Sequence, residues 1–378
     1  MKITGAVLEE MSRPRPYAES KPISISELEL AEPGPHEILV RIEAAGVCHS
    51  DLSVVDGNRP RPLPMLLGHE AAGIVEQVGS DVSDIEVGQR VVMTFLPRCG
   101  ECDACATNGR MPCTPGSATN GAGTLLDGER RLSRDGDPIE HHVGVSGFAT
   151  HAVVDRRSVV PVDNDVPPEV AAVLGCAVLT GGGAIINAAK PEPGEAIMVV
   201  GLGGVGMAAL LTALSLDGED AEPRREVIAV DGVADKLRQA RDLGATQVYS
   251  PQQLAERAEA GDPVKAPIVI EAAGNARAFE SAVAATAPGG RTVSVGLPSP
   301  KATSTISPLG IVAEARTIVG SYLGSAVPSR DIPRFAELWR SGRLPVEKLV
   351  SSRVPLAEIN TAMDELADGH AVRQIITF

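Results

Sequence analysis

The stretch from Glu195 to Leu214 reads EAIMVVGLGGVGMAALLTAL. A short apolar run is followed by a glycine-rich turn and then by alanine and leucine, which favour helix. The stretch therefore predicts a strand, a tight turn and a helix. In the turn, Gly201, Gly203 and Gly206 satisfy G-x-G-x-x-G, a pattern that lets the backbone approach a pyrophosphate while the helix N-terminus offers N–H groups to the phosphates.

The next predicted strand, EVIAVD, ends at Asp231. A carboxylate in this place can accept hydrogen bonds from ribose hydroxyls and repel a 2'-phosphate, so we predict NAD and not NADP. From the residues alone, the predicted cofactor contacts are Gly201, Gly203, Gly204, Val205, Gly206 and Asp231. The interval between Gly201 and Asp231 is 30 residues, whereas about 20 is usual. The polar segment 217–226 accounts for the excess as a surface loop, and the alternative for Asp231 is a turn residue at a strand end.

The rest of the second half alternates between strand and helix patterns. Strand-like runs at 266–274 and 289–297 are interleaved with helix-like runs at 235–245 and 279–286. This alternation predicts an α/β domain with a doubly wound parallel sheet. The first 175 residues are rich in glycine and proline and contain short strand-like runs, which predicts a β-rich partner domain. A chain of 378 residues is also long enough for two domains.

Charge and apolar patterning restrict the partners and the compartment. The formal net charge of −15 argues against a nucleic-acid or anionic-membrane partner. The first ten residues contain no apolar run behind a basic start, so we expect a cytoplasmic protein. The uncharged stretch from Ala196 to Leu216 is long enough to span a bilayer, but its glycines favour a buried strand and helix.

Four of the six cysteines lie in one segment, CGECDACATNGRMPC, at Cys99, Cys102, Cys105 and Cys113. In a reducing compartment, four thiolates on one loop match the closed tetrahedral shell of a structural zinc. The alternatives are a loop without metal and an iron–sulfur cluster, whose ligand runs can share the C-x2-C-x2-C opening. The gap of seven residues before the last cysteine and the lack of a following proline count against the cluster.

The two remaining cysteines stand near a histidine motif. Cys48 opens CHSDL, Cys176 lies in LGCAVLTGGG, and His69 lies between them in LGHEAAG. Each residue alone is explained by packing. Together they predict two thiolates and an imidazole around a zinc ion whose fourth position is open, as in a catalytic site. Asp51 is predicted to accept the second ring N–H of His69, and an Asx turn is the alternative for Asp51.

With these motifs in view, the sequence resembles the zinc-containing medium-chain alcohol dehydrogenases, and most closely the long animal and plant type and its bacterial relatives. The resemblance runs from the N-terminus to the closing AVRQIITF, and CHSDL, GHEAAGIV, the four-cysteine loop and GLGGVG carry it. Alcohol dehydrogenase is itself a known example of the two-cysteine, one-histidine zinc site. The resemblance implies a discontinuous catalytic domain, residues 1–178 with 320–378, around an NAD-binding domain at 179–319.

The resemblance also implies roles for single residues. It implies two zinc ions per chain, a catalytic one on Cys48, His69 and Cys176 with Glu70 behind it as an occasional ligand, and a structural one on Cys99, Cys102, Cys105 and Cys113. It further implies that Ser50 takes the alcohol proton, that His49 and Arg373 contact the cofactor pyrophosphate, that Lys236 lies near the adenosine ribose, and that Thr180 packs against the nicotinamide.

One position departs from several relatives, which have a histidine three residues after the serine where this chain has Ser53. That histidine ends a proton relay. Beyond Ser50 the proton therefore has two candidate routes, through the ribose hydroxyl and water or through His49.

The function predicted by this reasoning is reversible hydride transfer between a primary or secondary alcohol and NAD. The alternatives are a glutathione-dependent formaldehyde dehydrogenase and, from another class, a dinucleotide-binding protein without catalysis. By family position, the substrate pocket is expected to be edged by Phe95, Arg59, Ala118 and His142, although Arg59 and His142 are equally explained as surface groups. The partners implied are a small alcohol, aldehyde or ketone and a second copy of the chain in a homodimer, with a tetramer as the alternative.

Overall fold

The computed structural model describes residues 1–217 and 225–378. Most of the predicted surface loop at 217–226 therefore lies outside the described residues. The described residues form two compact units. The first comprises Met1–Cys176, Val327–Arg340 and Glu347–Phe378, and the second comprises Ala177–Ala326 and Ser341–Val346. The predicted catalytic domain (1–178 with 320–378) and the predicted NAD-binding domain (179–319) remain a prediction in their bounds and roles.

The strands range from two to eleven residues in length. In chain order they are β1 (Lys2–Leu8), β2 (Ile23–Leu30), β3 (Glu37–Val47), β4 (Met65–Leu66), β5 (Ala71–Val78), β6 (Arg90–Met93), β7 (Leu132–Arg134), β8 (Asp137–His141), β9 (His151–Asp155), β10 (Val159–Val162), β11 (Ile197–Val200), β12 (Val227–Val230), β13 (Gln247–Tyr249), β14 (Ala266–Glu271), β15 (Thr286–Ser294), β16 (Thr317–Gly320), β17 (Val350–Pro355) and β18 (Arg373–Thr377).

The α-helices concentrate in the second half of the chain. They are α1 (Tyr17–Ser20), α2 (His49–Val55), α3 (Asp103–Ala106), α4 (Thr114–Ala122), α5 (Pro168–Val173), α6 (Leu179–Gly183), α7 (Gly204–Ser215), α8 (Ala234–Asp242), α9 (Pro251–Glu259), α10 (Ala276–Ala285), α11 (Pro308–Ala313), α12 (Pro328–Arg340) and α13 (Ile359–Ala367). Short 3₁₀ turns occur at Arg156–Ser158, Tyr322–Ser325, Val346–Leu349 and Leu356–Glu358, and π-helical segments at Leu174–Val178 and Ala184–Ala189.

The second unit is built on a six-stranded sheet in the order β13-β12-β11-β14-β15-β16. Every neighbouring pair in this sheet is parallel. Numbered from β11, the order is 3-2-1-4-5-6, which is the doubly wound arrangement of dinucleotide-binding domains. The predicted α/β class with a parallel sheet is confirmed.

The glycine-rich turn joins β11 to α7. Glycine is required at different positions of this turn for different reasons. Gly201 has a φ of 91°, and a Cβ there would lie 2.5 Å from the backbone nitrogen of Ala273. At Gly206 a Cβ would lie 1.7 Å from the Gly201 carbonyl oxygen, because the helix packs closely on the turn. At Gly203, by contrast, a Cβ would meet no described atom within 4 Å. Packing within the protein therefore explains glycine at two positions and leaves Gly203 unexplained.

The first unit is β-rich, as predicted. One sheet closes into a barrel, β1-β2-β7-β8-β4, and a seven-stranded sheet runs β10-β6-β5-β3-β18-β17, with β9 paired to β3. The C-terminal strand β18 pairs with β3 through residues 44–47. The final strand of the chain thus lies beside the strand that leads directly into Cys48.

The uncharged stretch Ala196–Leu216 forms β11 and α7, as predicted from its glycines. Among the described residues, the helical stretch Pro168–Ala189 is long and apolar enough to cross a membrane, but 89% of its most apolar window is buried in the protein. This is weak evidence for a membrane span, because buried core helices have the same length and composition.

Candidate functional site

The three predicted ligands of the catalytic metal lie in three separate segments of the first unit. Cys48 immediately precedes α2, and His69 lies two residues before the first residue of β5. Cys176 lies in the π-helical segment after α5, next to Gly175, where a Cβ would lie 2.1 Å from the Met93 carbonyl oxygen. The close approach of this segment to β6 therefore requires a residue without a side chain beside Cys176.

These segments bring the three side chains together in the interior of the unit. Cys48, His69, Glu70 and Cys176 are all buried, and their candidate ligand atoms lie within 4.8 Å of one another. The Cys176 Sγ atom lies 3.4 Å from the His69 Nε2 atom. The two thiols, the imidazole and the carboxylate thus form a single cluster.

The donor set fits a zinc ion. Bond lengths of about 2.3 Å for sulfur and 2.0–2.1 Å for nitrogen, at tetrahedral angles, give a sulfur–nitrogen separation of about 3.6 Å. The observed 3.4 Å between Cys176 and His69 is close to that value. Thiolate and imidazole ligands are also those that zinc prefers in proteins.

Asp51 orients two of the three ligands. Its Oδ1 atom accepts the Nδ1–H of His69 at 2.8 Å, and its Oδ2 atom accepts the backbone N–H of Cys48 at 3.0 Å. Burial raises the pKa of Asp51, but His69 and His142 outweigh it, so the pKa lies below the usual aspartate value. The structure thus contains the predicted contact with His69, and the contact with Cys48 belongs to a helix capping box and not to the Asx turn that was the alternative. The first contact leaves Nε2 of His69 available to a metal.

Glu70, the carboxylate of the cluster, is paired with Arg373. Both side chains are almost fully buried, and the Arg373 Nε atom lies 3.4 Å from Glu70 Oε1. Arg373 Nη1 donates to the carbonyl oxygen of Val47 at 3.1 Å. Burial raises the pKa of Glu70 to about 7. A Cβ at Gly46 would lie 2.2 Å from Glu70 Oε1, so the glycine in β3 provides the space for this carboxylate.

The thiol of Cys48 is electrostatically favoured as an anion. The hydrogen bond with Cys176, together with the charges of Arg373 and His69, outweighs burial and holds the pKa of Cys48 well below the usual cysteine value. A thiolate is the form that binds metal.

The predicted proton-transfer residues lie in the first turn of α2. Ser50 is half-buried and His49 is exposed at the helix start. Ser53 donates its hydroxyl to the Ser50 carbonyl oxygen at 2.9 Å. The hydroxyl that replaces the relay histidine is therefore engaged within its own helix.

The four-cysteine loop forms a second cluster. The candidate ligand atoms of Cys99, Cys102, Cys105 and Cys113 lie within 4.8 Å of one another, and the Sγ atoms of Cys99 and Cys105 are 3.9 Å apart. Tetrahedral zinc with four sulfur ligands gives a separation of about 3.8 Å. Backbone N–H groups also donate to the sulfur of Cys113, from Cys99 at 3.3 Å and from Gly116 at 3.5 Å. The cluster has the size and the polar surroundings of a closed thiolate site.

Of the predicted cofactor residues outside the glycine-rich turn, Asp231 contacts the turn directly. The Asp231 carboxylate follows β12 and accepts the N–H of Leu202 at 2.6 Å and that of Val233 at 2.8 Å. Lys236 lies on α8 and Thr180 on α6, and both are buried. The contact with Val233 is the turn contact that was the alternative for Asp231. Each carboxylate oxygen has further acceptor capacity, so both assignments are chemically compatible.

The residues expected at the substrate pocket differ in their surroundings. Phe95 packs edge-on against His69, with ring centroids 5.7 Å apart, and Ala118 on α4 is exposed. Arg59 is half-buried. His142 is only 2% exposed, so its interpretation as a surface group is wrong. Sequence reasoning also missed the polar contact of His142 with Asp51, for which the local sequence contains no signal.

Known proteins that resemble this chain do so along its whole length. The family descriptions "Alcohol dehydrogenase GroES-like domain" and "Zinc-binding dehydrogenase" match residues 34–164 and 204–341. A Mycobacterium tuberculosis protein provisionally named alcohol dehydrogenase D is 34% identical over 100% of both chains. A solved alcohol dehydrogenase zinc-binding domain protein from Burkholderia ambifaria is 31% identical, with a TM-score of 0.89, over 100% of this chain and 99% of that one. Benzyl alcohol dehydrogenase from Acinetobacter calcoaceticus is also 31% identical, with a TM-score of 0.88 and the same coverage.

The two clusters lead to a prediction for metal content. We expect elemental analysis to find about two zinc ions per chain, because each cluster has a complete set of donors. Cys113→Ser and Cys176→Ser should each remove about one ion, since each removes a thiolate from a different cluster. Met111→Leu, in the cysteine loop but without a ligand atom, should retain both. A wild-type chain with one zinc ion or none would contradict the assignment.

Proposed function

This chain belongs to the zinc-containing medium-chain alcohol dehydrogenase family, and from that premise we propose that it catalyses reversible oxidation of a primary or secondary alcohol with NAD at a zinc centre. The observation that carries the proposal is the convergence of Cys48, His69 and Cys176 on one buried point. Two thiolates and an imidazole leave one tetrahedral position for a substrate oxygen. Glu70 is a fourth candidate ligand of the same cluster and lies 3.4 Å from Arg373.

A zinc ion held there would supply Lewis-acid chemistry that lowers the pKa of the substrate hydroxyl. The residues of the chain then have separate tasks. Cys48, His69 and Cys176 hold the ion, and Asp51 fixes the orientation of His69 and the backbone at Cys48 through its two oxygens. Such outer partners set the tautomer and the basicity of a histidine ligand.

Ser50 is proposed to accept the proton that the alcohol loses. It stands two residues after Cys48 in the first turn of α2, where its side chain is half-buried. Ser53 is assigned no step, because its hydroxyl donates to the Ser50 carbonyl oxygen. Beyond Ser50 the proposal retains the ribose hydroxyl with water, or His49, as the route to solvent.

NAD is proposed as the hydride acceptor, held by the second unit. The parallel sheet with its glycine turn supports a dinucleotide site, and the absence of any described atom within 4 Å of a Cβ at Gly203 leaves room for a pyrophosphate. Asp231 supports NAD over NADP through its negative charge at the end of β12. The roles of Gly204, Val205, Lys236, Thr180, His49 and Arg373 toward the cofactor are part of the same proposal.

The catalytic proposal is tested by a matched pair of serine variants. Ser50→Ala should lower kcat for alcohol oxidation by on the order of 10²-fold or more, because general acid–base groups contribute at least that much. Ser53→Ala should retain kcat, since only a helix hydrogen bond is lost. The assay follows NADH formation with benzyl alcohol, which the name of one relative suggests, and with aliphatic primary and secondary alcohols. Zinc content is measured for each variant.

Three outcomes would contradict parts of this proposal. Full activity of Ser50→Ala would remove the relay role. Oxidation of formaldehyde only in the presence of glutathione would select the glutathione-dependent alternative. A wild-type protein that holds both zinc ions and binds NAD but oxidises none of these substrates would contradict the dehydrogenase function itself.

Cofactor preference follows from Asp231. We expect kcat/KM to be higher with NAD than with NADP, because the carboxylate repels a 2'-phosphate. Asp231→Asn should change the ratio of the two kcat/KM values by about tenfold toward NADP, equivalent to about 1.4 kcal/mol. Asp242→Asn, at the last residue of α8, is a charge-matched control that should not change the ratio. A wild-type preference for NADP would refute the role of Asp231.

The proposed assembly is a homodimer through the second unit. Leu309 and Val312 on α11 are 75% and 79% exposed, and β16 is an edge strand of the sheet. Exposed apolar residues near an unpaired edge are features of an interface. Sedimentation should give a dimer for the wild type and a monomer for Val312→Asp, whereas Val87→Asp, at a valine of the first unit that is 62% exposed, should stay dimeric. A monomeric wild type would contradict this assembly, and a tetramer would indicate a further interface.

A further inference from the structure

His142 lies in the interior of the first unit, next to the residues that surround the proposed catalytic zinc. Its Nδ1 atom is 3.3 Å from Asp51 Oδ1, and the two side chains are 3% and 0% exposed. Its ring meets the ring of His69 edge to face, with centroids 5.6 Å apart and an interplanar angle of 85°. His142 is therefore in contact both with a candidate ligand and with the carboxylate that orients that ligand.

The chemistry of this contact fixes the direction of the proton. An ionised carboxylate only accepts hydrogen bonds, so the Nδ1 atom of His142 carries the hydrogen. Burial, the largest influence, lowers the pKa of His142, and Asp51 opposes it. Asp51 Oδ1 accepts the N–H of His69, with the Nδ1 atom of His142 3.3 Å away as a second, longer contact, while Oδ2 accepts the N–H of Cys48.

The backbone after His142 is held in an unfavourable conformation. Val143, Gly144 and Ser146 have φ values of 45°, 69° and 53°. This region costs a non-glycine residue about 1–3 kcal/mol, and a β-branched residue such as Val143 is a clear outlier there. The turn is stabilised by the N–H of His142, which donates to Ser146 Oγ at 3.0 Å. Strain of this kind persists only where surrounding contacts impose it, and here it lies directly beside the residue that contacts Asp51.

We propose that His142 is a positioning residue for the catalytic metal site, which acts by donating its Nδ1–H to Asp51 and so fixing the carboxylate that orients His69 and Cys48. The inference rests on the proposed zinc at Cys48, His69 and Cys176. With only one donor on Oδ1, the carboxylate is free to rotate away from His69 or Cys48. The orientation of two ligands is then less defined, and the zinc is bound more weakly.

The neighbouring His141 provides a matched control. It is as deeply buried, at 1% exposure, but its Nε2 atom accepts the backbone N–H of Arg131 at 3.0 Å. It is not part of the described clusters of candidate ligands. A substitution at His141 therefore tests the effect of perturbing the same segment without removing a donor from Asp51.

The test measures zinc affinity by chelator competition on the purified holoenzyme, with four variants. His142→Phe keeps a ring against His69 but has no N–H, whereas His142→Asn places an amide N–H close to the position of Nδ1. His142→Gln places its amide near the position of Nε2 instead and serves as a polar substitute if the phenylalanine variant does not fold. His141→Gln can still accept the Arg131 N–H and is the control.

We expect His142→Phe and His142→Gln to weaken zinc binding at the catalytic site by about tenfold, the lower end of the effect of losing an outer partner. His142→Asn should stay within about threefold of the wild type, and His141→Gln should be unchanged. The zinc of the four-cysteine loop should be released equally in all variants. After cobalt substitution, the visible spectrum of the catalytic site should shift in His142→Phe and return to the wild-type form in His142→Asn.

The outcomes separate this inference from the proposed function. Equal affinity and an equal cobalt spectrum in the wild type and His142→Phe would overturn the positioning role. Equal weakening in His142→Phe and His142→Asn would also overturn it, because the loss would then come from packing and not from the N–H donor. A wild-type chain without zinc at Cys48, His69 and Cys176 would instead refute the proposed function.

Discussion

The hydrogen bond between Asp51 and His69 is the interaction on which the candidate site depends. The cluster draws its side chains from positions 48, 69 and 176, so no single element can hold it together. Asp51 joins two of these segments, because one oxygen accepts from the His69 ring and the other from the Cys48 backbone. Since the carboxylate is fully buried, no water competes for either oxygen, and a hydrogen bond in such surroundings is stronger than one in solvent.

Much of the fold and part of the site could be predicted from the sequence. The strand, turn and helix at Ile197–Ser215 have a local signature, because glycine and apolar patterning act over a few residues. The ligand types were also visible, since thiols and a histidine in recognisable motifs are uncommon. Contacts between distant residues had no such signature. Glu70 with Arg373 and Asp51 with His142 join residues far apart in the chain, and they depend on strand pairing that becomes visible only in the folded chain.

Glycine illustrates the same division between local and tertiary causes. The motif predicts a tight turn, close backbone approach to a pyrophosphate and tight helix packing for Gly201, Gly203 and Gly206. Gly201 and Gly206 are explained within the protein, by a positive φ and by a close carbonyl oxygen. Gly203 has no such reason, and its need for glycine would come from a partner outside the chain. The motif assigns these separate reasons, and the distances to surrounding atoms are what the folded structure adds.

The balance of charge is a further argument that the first-unit cluster is built around a cation. Cys48 and Cys176 as thiolates, with Asp51 and Glu70 as carboxylates, would bury four negative charges within one small region. Arg373 is the buried guanidinium beside them, and burial lowers the pKa of His142. Burying charges without partners costs several kcal/mol per ion. One arginine offsets a single charge, whereas a divalent ion between the thiolates offsets two more and gives their lone pairs a partner. In the chain without a cation, protons compensate these charges: Asp51 outweighs burial and raises the pKa of His69, and the hydrogen bond with Cys48, together with burial, raises the pKa of Cys176. A zinc ion bound here would take the place of the protons on His69 and Cys176, because metal ligands must be deprotonated.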